Sequence, residues 1–391
     1  MTEKIELRQL VQLQRGQSYK SALLGQPGPF LLGLGTIQRN GGFRGENLKT
    51  YGGDSPKKTL LRSGDLYVSL KDVTHSADLL GAVARVPKNV ELGRLTQDTI
   101  RLDVDDSRVD RNYLHWLLRT PDFREYCRAR GTGTTNLDLS RDDFLAYQVV
   151  LPSRLEQEAV ASLLEALDEK VAANNNLIGT SDQLSHTLFR AMRRSDCKLV
   201  PLSETAKFVN GKAFTKNASG TGRVVIRIAE LNSGIGASTV YNDIEVDDHH
   251  LARPGDLLFA WSGSLTLHRW FRSEGIVNQH IFKVMPNDGY PHWLVHELLR
   301  EKLDEFKSIA ADKATTMGHI QRKHLDEPVA VPSPNAVSKH NVLMAALWSR
   351  TLVAERENLG LNAARDALLP HLVSGTLRVQ DARKLLEKAG V

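Results

Sequence analysis

Two hydrophobic periodicities alternate along the chain. Through the first 150 residues or so, apolar side chains come in short runs, at 30–34, 65–70 and 81–86, broken by glycine, asparagine and aspartate. Runs of that length between turn formers predict β-strands. The pattern then changes. Val160, Leu167, Asn174, Ser181 and Leu188 recur every seventh residue, with Leu163, Lys170, Leu177, Leu184 and Ala191 as a companion series. Heptad spacing predicts a helix that packs along a seam, and the polar Asn174 and Ser181 would help fix its register. Short β-type runs return at 223–228, 256–261 and 280–284, and a second heptad series follows at Leu347, Ala354, Leu361 and Leu368. Each β-rich stretch also contains a predicted helix, over 112–128 and 291–309.

The alternation is a repeat. Gly64-Asp65-Leu66, Gln97, Leu117-Leu118-Arg119 and Leu151-Pro152-Ser153 are echoed by Gly255-Asp256-Leu257, Gln279, Leu298-Leu299-Arg300 and Val331-Pro332-Ser333, about 180–190 residues later. Solenoid units are far shorter, roughly 20–50 residues, so two whole modules of one α+β kind are expected. The boundaries fall at 1–151 for the first module and 152–195 for a helical segment. The second module spans 196–332, and a second helical segment with a tail spans 333–391. Pro152 and Pro332 precede the helices, where proline disturbs no interior hydrogen bond. Pro370 is expected to end or kink the second helix and Gly375 to close it. Gly179 and Gly360 are possible interruptions. An unbroken helix of 40 residues would be roughly 60 Å long, a stiff spacer if it packs against its twin.

Composition adds bounds. The 391 residues carry a net charge of +5 with 41% hydrophobic and 25% charged residues, near globular averages. No apolar run is long enough to cross a membrane, and the first residues lack the order of a secretory signal. Cys127 and Cys197 match neither a zinc nor a disulfide framework, as expected of a cytoplasmic protein.

The charge distribution says more than its sum. Residues 7–45 contain no acid but hold Arg8, Arg15, Lys20, Arg39 and Arg44; residues 205–229 contain none but hold Lys207, Lys212, Lys216, Arg223 and Arg227. A third acid-free stretch, 257–273, places His268, Arg269 and Arg272 beside Trp261, Trp270 and Phe271, and its counterpart contains Lys57, Lys58, Arg62 and Lys71. Positive windows at matching places in two repeats point to phosphate backbones. Before each long helix lies a small, hydroxyl-rich loop, with Thr132, Thr134 and Asn136 in the first copy and Thr315 and Thr316 in the second. Such loops suit close approach to a polar ligand.

No catalytic constellation emerges. Gly33-Leu34-Gly35 and Gly131-Thr132-Gly133 lack the third glycine of a dinucleotide loop. Asp168-Glu169-Lys170 lies on the heptad helix and reads as surface. His249-His250 has no partner at metal-ligand spacing and reads as a polar loop pair, so no metal is expected. Two classes of function remain: DNA recognition by two modules, or a protein-interaction scaffold of two adaptors on a helical spacer.

The order of these motifs resembles the specificity subunit of a type I restriction–modification system. The resemblance is carried by the Gly131-Thr132-Gly133-Thr134-Thr135-Asn136-Leu137 loop, the step through Val150-Leu151-Pro152 into residues 155–161, the two Gly-Asp-Leu strand openings, and the end from Leu368 to Val379. It covers nearly the whole chain. The second junction, Pro332-Ser333-Pro334-Asn335-Ala336-Val337, departs from it, because it lacks the pair that the first has at Glu156-Gln157.

The resemblance implies two target-recognition domains, each a curved sheet plus helices, separated by two long antiparallel, coiled-coil-like helices. Each domain would read one half of a bipartite, asymmetric site on double-stranded DNA. The helices would set the spacer and dock methyltransferase subunits, two of them expected, through Glu156, Gln157, Val160, Leu163, Leu167, Leu177, Leu184, Leu347, Leu361 and Leu368. The chain itself would not be an enzyme. S-adenosylmethionine, ATP and Mg would belong to the methyltransferase and the restriction/translocase partners.

Overall fold

The computed structural model describes residues 4–390 apart from 75, 135, 195 and 313–318. Thr315 and Thr316 therefore lie outside the described residues. The chain folds as two compact units: Met1–Glu169 with Leu361–Val391, and Lys170–Gly360.

In unit one the strands run β1 (Lys4–Glu6), β2 (Val11–Arg15), β3 (Phe30–Leu32), β4 (Leu60–Leu61), β5 (Leu66–Ser69), β6 (Lys71–Asp72), β7 (Val83–Arg85), β8 (Gly93–Leu95), β9 (Thr99–Val104), β10 (Leu137–Asp138) and β11 (Gln148–Val150). Helices α1 (Arg111–Leu117), α2 (Pro121–Ala129) and α3 (Arg141–Leu145) precede the long α4 (Arg154–Met192). An antiparallel sheet has the order β2-β9-β5-β7, and a smaller one, β3-β8-β4, contains a parallel pair. Between the sheets Leu32, Leu61 and Leu95 of the smaller meet Tyr67, Ala82 and Ala84 of the larger. All four residues of β5 are buried, which is why that strand shows no alternation of apolar and polar positions, and its one polar residue, Ser69, is hydrogen-bonded to Lys71.

Unit two repeats this plan. Its strands are β12 (Cys197–Pro201), β13 (Ala206–Asn210), β14 (Arg223–Ile226), β15 (Tyr241–Asn242), β16 (Leu251–Ala252), β17 (Leu257–Ala260), β18 (Thr266–Arg269), β19 (Gly275–Val277), β20 (Ile281–Pro286) and β21 (Pro328–Pro332). Its helices are α5 (Leu202–Thr205), α6 (Ile228–Ser233), α7 (His292–Asp312) and the first part of α8 (Pro334–Val373); α9 (Val379–Ala389) belongs to unit one. The large sheet, β13-β20-β17-β18, matches β2-β9-β5-β7 strand for strand, and β14 and β19 form a parallel pair as β3 and β8 do. The ladders β1–β11 and β12–β21 close the two units alike. In unit two one apolar cluster joins Phe259 and Phe282 of the sheet, Trp293, Leu298 and Phe306 of α7, Phe189 of α4 and Met344 of α8.

The helix expected over 112–128 is two helices. Thr120 interrupts it, its hydroxyl accepting from the Phe123 amide at 3.4 Å, with Pro121 opening α2. Both long helices are continuous: Gly179 lies inside the 39 residues of α4 and Gly360 inside the 40 of α8. Pro370 does not end α8, which runs to Val373 before Gly375 turns the chain at a φ of +74°. Pro370 has no N–H to give to the carbonyl four residues back, and the helix ends three residues beyond it.

Each long helix contributes to both units, α4 passing from unit one into unit two and α8 returning. In α4 the first heptad series is buried at Val160, Leu167, Asn174 and Ser181, while the companion series turns outward at Lys170, Leu184 and Ala191. In α8 the buried positions include Ala354, Leu361 and Leu368, joined by an unforeseen second series at Met344, Thr351 and Leu372 and by Leu369. Within unit two the Asn174 amide donates to Glu357 at 2.8 Å and to Asn358 at 3.0 Å, so the buried polar group is paired as its burial requires. Within unit one Arg365 donates to Asp168 at 2.6 Å.

Candidate nucleic-acid interface

The same end of the large sheet is built alike in both units. In unit one β2 finishes at Arg15 and the Gly16 amide donates to the Thr99 carbonyl at 3.1 Å; in unit two β13 finishes at Asn210 and the Gly211 amide donates to Ile281 at 2.9 Å. A Cβ at Gly16 would collide with the Thr96 carbonyl, and one at Gly211 with the Asn278 carbonyl. Glycine is needed at both turns because another backbone passes too close for a side chain. After each glycine comes an aromatic residue three positions on, Tyr19 and Phe214, and opposite it an exposed glutamine, Gln97 and Gln279. The pair Arg-Gly-Gln-Ser-Tyr and Asn-Gly-Lys-Ala-Phe is a repeat signal that hydrophobic periodicity does not show.

The hydroxyl-rich loop of unit one returns to this end. Thr132 and Asp138 exchange backbone hydrogen bonds at 2.9 and 2.8 Å, and β10 then pairs with β6, bringing the exposed Thr132, Thr134 and Asn136 beside Lys71. Gly133, at a φ of +120°, sits where any Cβ would strike the Asn136 carbonyl. The Lys71 ammonium lies 3.8 Å from Asp98 and 4.0 Å from Asp138. In unit two Ser262, two residues beyond β17, forms a bridge with His319, and the Trp261 indole donates to Asn210 at 2.7 Å. His280 there has a φ of +74°, a conformation that a bulky residue adopts only when its surroundings enforce it.

The acid-free windows are not acid-free in space. Arg39 pairs with Asp78, Arg44 with Glu46, Arg223 with Glu274 and Arg227 with Glu230. Arg227 also donates to the Ser238 carbonyl at 2.6 Å, which makes it a structural residue of unit two. Arg269 is the clearest correction. Its side chain is 6% exposed, forked onto Glu355 of α8 at 2.9 and 3.1 Å, and set over the Trp348 ring. It holds its module to a long helix and does not face a ligand. Arg272 lies over Phe271 at 5.1 Å, and His268 is bonded to Thr266 at 2.8 Å; burial holds both below their ordinary pKa values. Lys20, Lys57, Lys58, Lys212 and Lys216 are exposed and make no ion pair among the described residues. Arg15 is exposed too, donating only to the Gln97 carbonyl at 3.1 Å. Arg15, Lys71, Thr132, Thr134 and Asn136 share the sheet end of unit one, and Lys212 shares that of unit two.

The residues expected to dock a partner mostly face inward. Glu156 caps α4, accepting from the Ser153 amide at 3.0 Å and its hydroxyl at 2.8 Å. Gln157 is buried, accepting from the Asp110 amide at 2.8 Å and donating to the Pro152 carbonyl at 2.9 Å. Of the apolar ones Val160, Leu163, Leu167, Leu361 and Leu368 are buried, Leu177 and Leu347 half-buried, and Leu184 is exposed, at 43%. The large apolar side chains left open on the long helices are Leu155, Leu184, Val342, Leu343 and Val353.

The acidic cluster on α4 is engaged in ion pairs. Asp168 binds Arg119 and Arg365, Glu169 faces Lys88, and Lys170 binds Glu357. Burial pushes the Cys127 thiol up to about 12, so it stays protonated and unreactive near neutrality.

No protein-family model matches the chain. It is 22% identical over 330 residues to the type I restriction enzyme MjaIX specificity subunit of Methanocaldococcus jannaschii, covering 73% of both chains. Among solved structures it superposes on the type I restriction–modification S subunit from M. genitalium with a TM-score of 0.60 and 16% identity over 95% of both chains. The fold is that of a type I restriction–modification S subunit. A further S-subunit structure, the HsdS subunit from Thermoanaerobacter tengcongensis, aligns over 96% of this chain and 97% of its own at 15% identity, with a TM-score of 0.35. Among the described residues no helix is long and apolar enough to cross a membrane.

Proposed function

We propose that this chain is the DNA-sequence specificity subunit of a type I restriction–modification complex, each module reading one half of a bipartite site. The duplicated sheet end carries the reading. In each copy a glycine turn, an aromatic residue and an exposed glutamine stand together, with Arg15 and Lys71 beside them in unit one and Lys212 in unit two. Cations neutralise phosphates and fix register, while amides such as Gln97 and Gln279 suit the adenine edge in the major groove. Because the two copies differ in sequence, the half-sites differ. The long helices set the spacer, and their open residues Leu155, Val342, Leu343 and Val353 meet two methyltransferase subunits. Those subunits hold S-adenosylmethionine, and restriction/translocase subunits use ATP and Mg; the chain supplies recognition without catalysis, in the cytoplasm.

The test is duplex binding by the chain assembled with its methyltransferase partner. Affinity should fall steeply with salt, by a slope of roughly 0.9 per neutralised phosphate on logarithmic axes. Lys212→Glu with Lys216→Glu should weaken binding at every sequence and lower that slope by about 1 for each phosphate no longer neutralised, while assembly survives. Salt-insensitive binding, or an assembled complex that ignores duplex DNA, would favour the scaffold reading instead.

A further inference from the structure

In unit two, beside the Gly211 turn, the 3-10 turn Asp248–His250 brings together side chains that the DNA-reading proposal leaves unused. His249 Nε2 stands 3.7 Å from an Asp247 carboxylate oxygen, the His249 and His250 rings lie 4.4 Å apart, and one ligand atom from each of the three residues falls within 4.8 Å of the others. His250 is only 3% exposed, and neither of its ring nitrogens has a hydrogen-bond partner among the described residues. A buried imidazole with both nitrogens unpaired lacks the partner such groups normally have. The neighbouring Asp248 does not compete, since Arg253 grips its carboxylate at 2.5 and 3.1 Å.

We propose that Asp247, His249 and His250 bind one divalent transition-metal ion of the Zn2+ type. Two imidazoles and a carboxylate favour Zn2+, Co2+ or Ni2+ over Mg2+ or Ca2+, which take oxygen ligands. Bonds of about 2.0–2.2 Å set tetrahedral ligands roughly 3.3–3.6 Å apart. The His249–Asp247 separation nearly meets that already, and small side-chain rotations close the rest. The adjoining cavity, about 390 Å³, is also lined by Glu245 and Lys212. Two carboxylates against one ammonium make it a site for a cation rather than an anion, and Glu245 or water completes the coordination. The His250 ring packs edge-on against Phe214 at 5.6 Å, so a bound ion would stiffen the turn that presents Lys212 and Phe214. The sequence shows only the adjacent histidines; the third ligand comes from the turn that folds Asp247 back onto them.

The full chain, stripped with chelator and then titrated with Zn2+ against a chromophoric chelator and with Co2+ by visible absorption, decides the matter. One equivalent per chain should bind, with a rise in melting temperature. Asp247→Asn combined with His249→Gln should weaken binding by more than the roughly 10–100-fold that removing a hydrogen-bond partner of a ligand costs. Neither residue is buried, so the metal-free melt should not change; should it change, His249→Gln alone serves for the comparison. Absence of stoichiometric binding, or equal affinity in parent and variants, overturns the proposal and leaves the DNA-reading proposal untouched.

Discussion

His115 is buried in unit one, with Nε2 3.4 Å from the Arg119 guanidinium and no partner for Nδ1 among the described residues. Burial first, then the cations Arg119 and Arg85, hold its pKa well below the ordinary imidazole value. Asp168 and Glu165 bind those two arginines and keep the cluster near neutrality. Below about pH 6.5 the unfolded chain takes up a proton at this histidine that the folded chain refuses. Stability is therefore complete above that pH and is lost as pH falls, by up to about 1.4 kcal/mol per pH unit. Urea melts between pH 7 and 5 should show this slope, and His115→Gln should flatten it. An equal slope in the variant would mean that other histidines carry the effect.

At the scale of elements, the long helices test how literally a heptad pattern can be read. Their existence was legible; their continuity was not, because an isolated glycine neither demands nor forbids a break. Gly179 is exposed inside α4, and a Cβ there would meet nothing within 4 Å. Gly179→Ala should therefore stabilise the protein by about 0.5–1 kcal/mol, a rise of roughly 1–2 °C in Tm. No change, or a fall, would mean that the helix bends there in solution. The split between α1 and α2 was readable: Thr120-Pro121 is a cap followed by an N1 proline, and apolar periodicity across it concealed the signal. Glu156 and Gln157 show the reverse. The resemblance assigned them to a partner, yet Glu156 accepts from the Ser153 amide at the helix start and Gln157 ties that start to the Asp110 amide ahead of α1.

For the whole molecule the informative fact is duplication with divergence. The two large sheets share one strand order, and the paired sheet ends share a glycine turn and a glutamine, while most of the side chains around them differ. Exchanging residues 196–332 for the equivalent module of a related S subunit should change one half of the methylated site and leave the other unchanged, read by mapping methylated adenines. A change in both halves would refute independent reading by the modules.

The sequence by itself determined the elements, the two-module duplication, the long helices and the S-subunit resemblance, because these are patterns of neighbouring residues along one dimension. It also contained the Gly16 and Gly211 turns, although their meaning depends on which backbone passes opposite. Only the tertiary structure decided which cations remain free. Arg269 meets Glu355 across 86 residues of chain and Arg365 meets Asp168 across 197. Such pairs arise when the fold brings distant segments together, and electrostatic energy depends on separation in space, not along the chain.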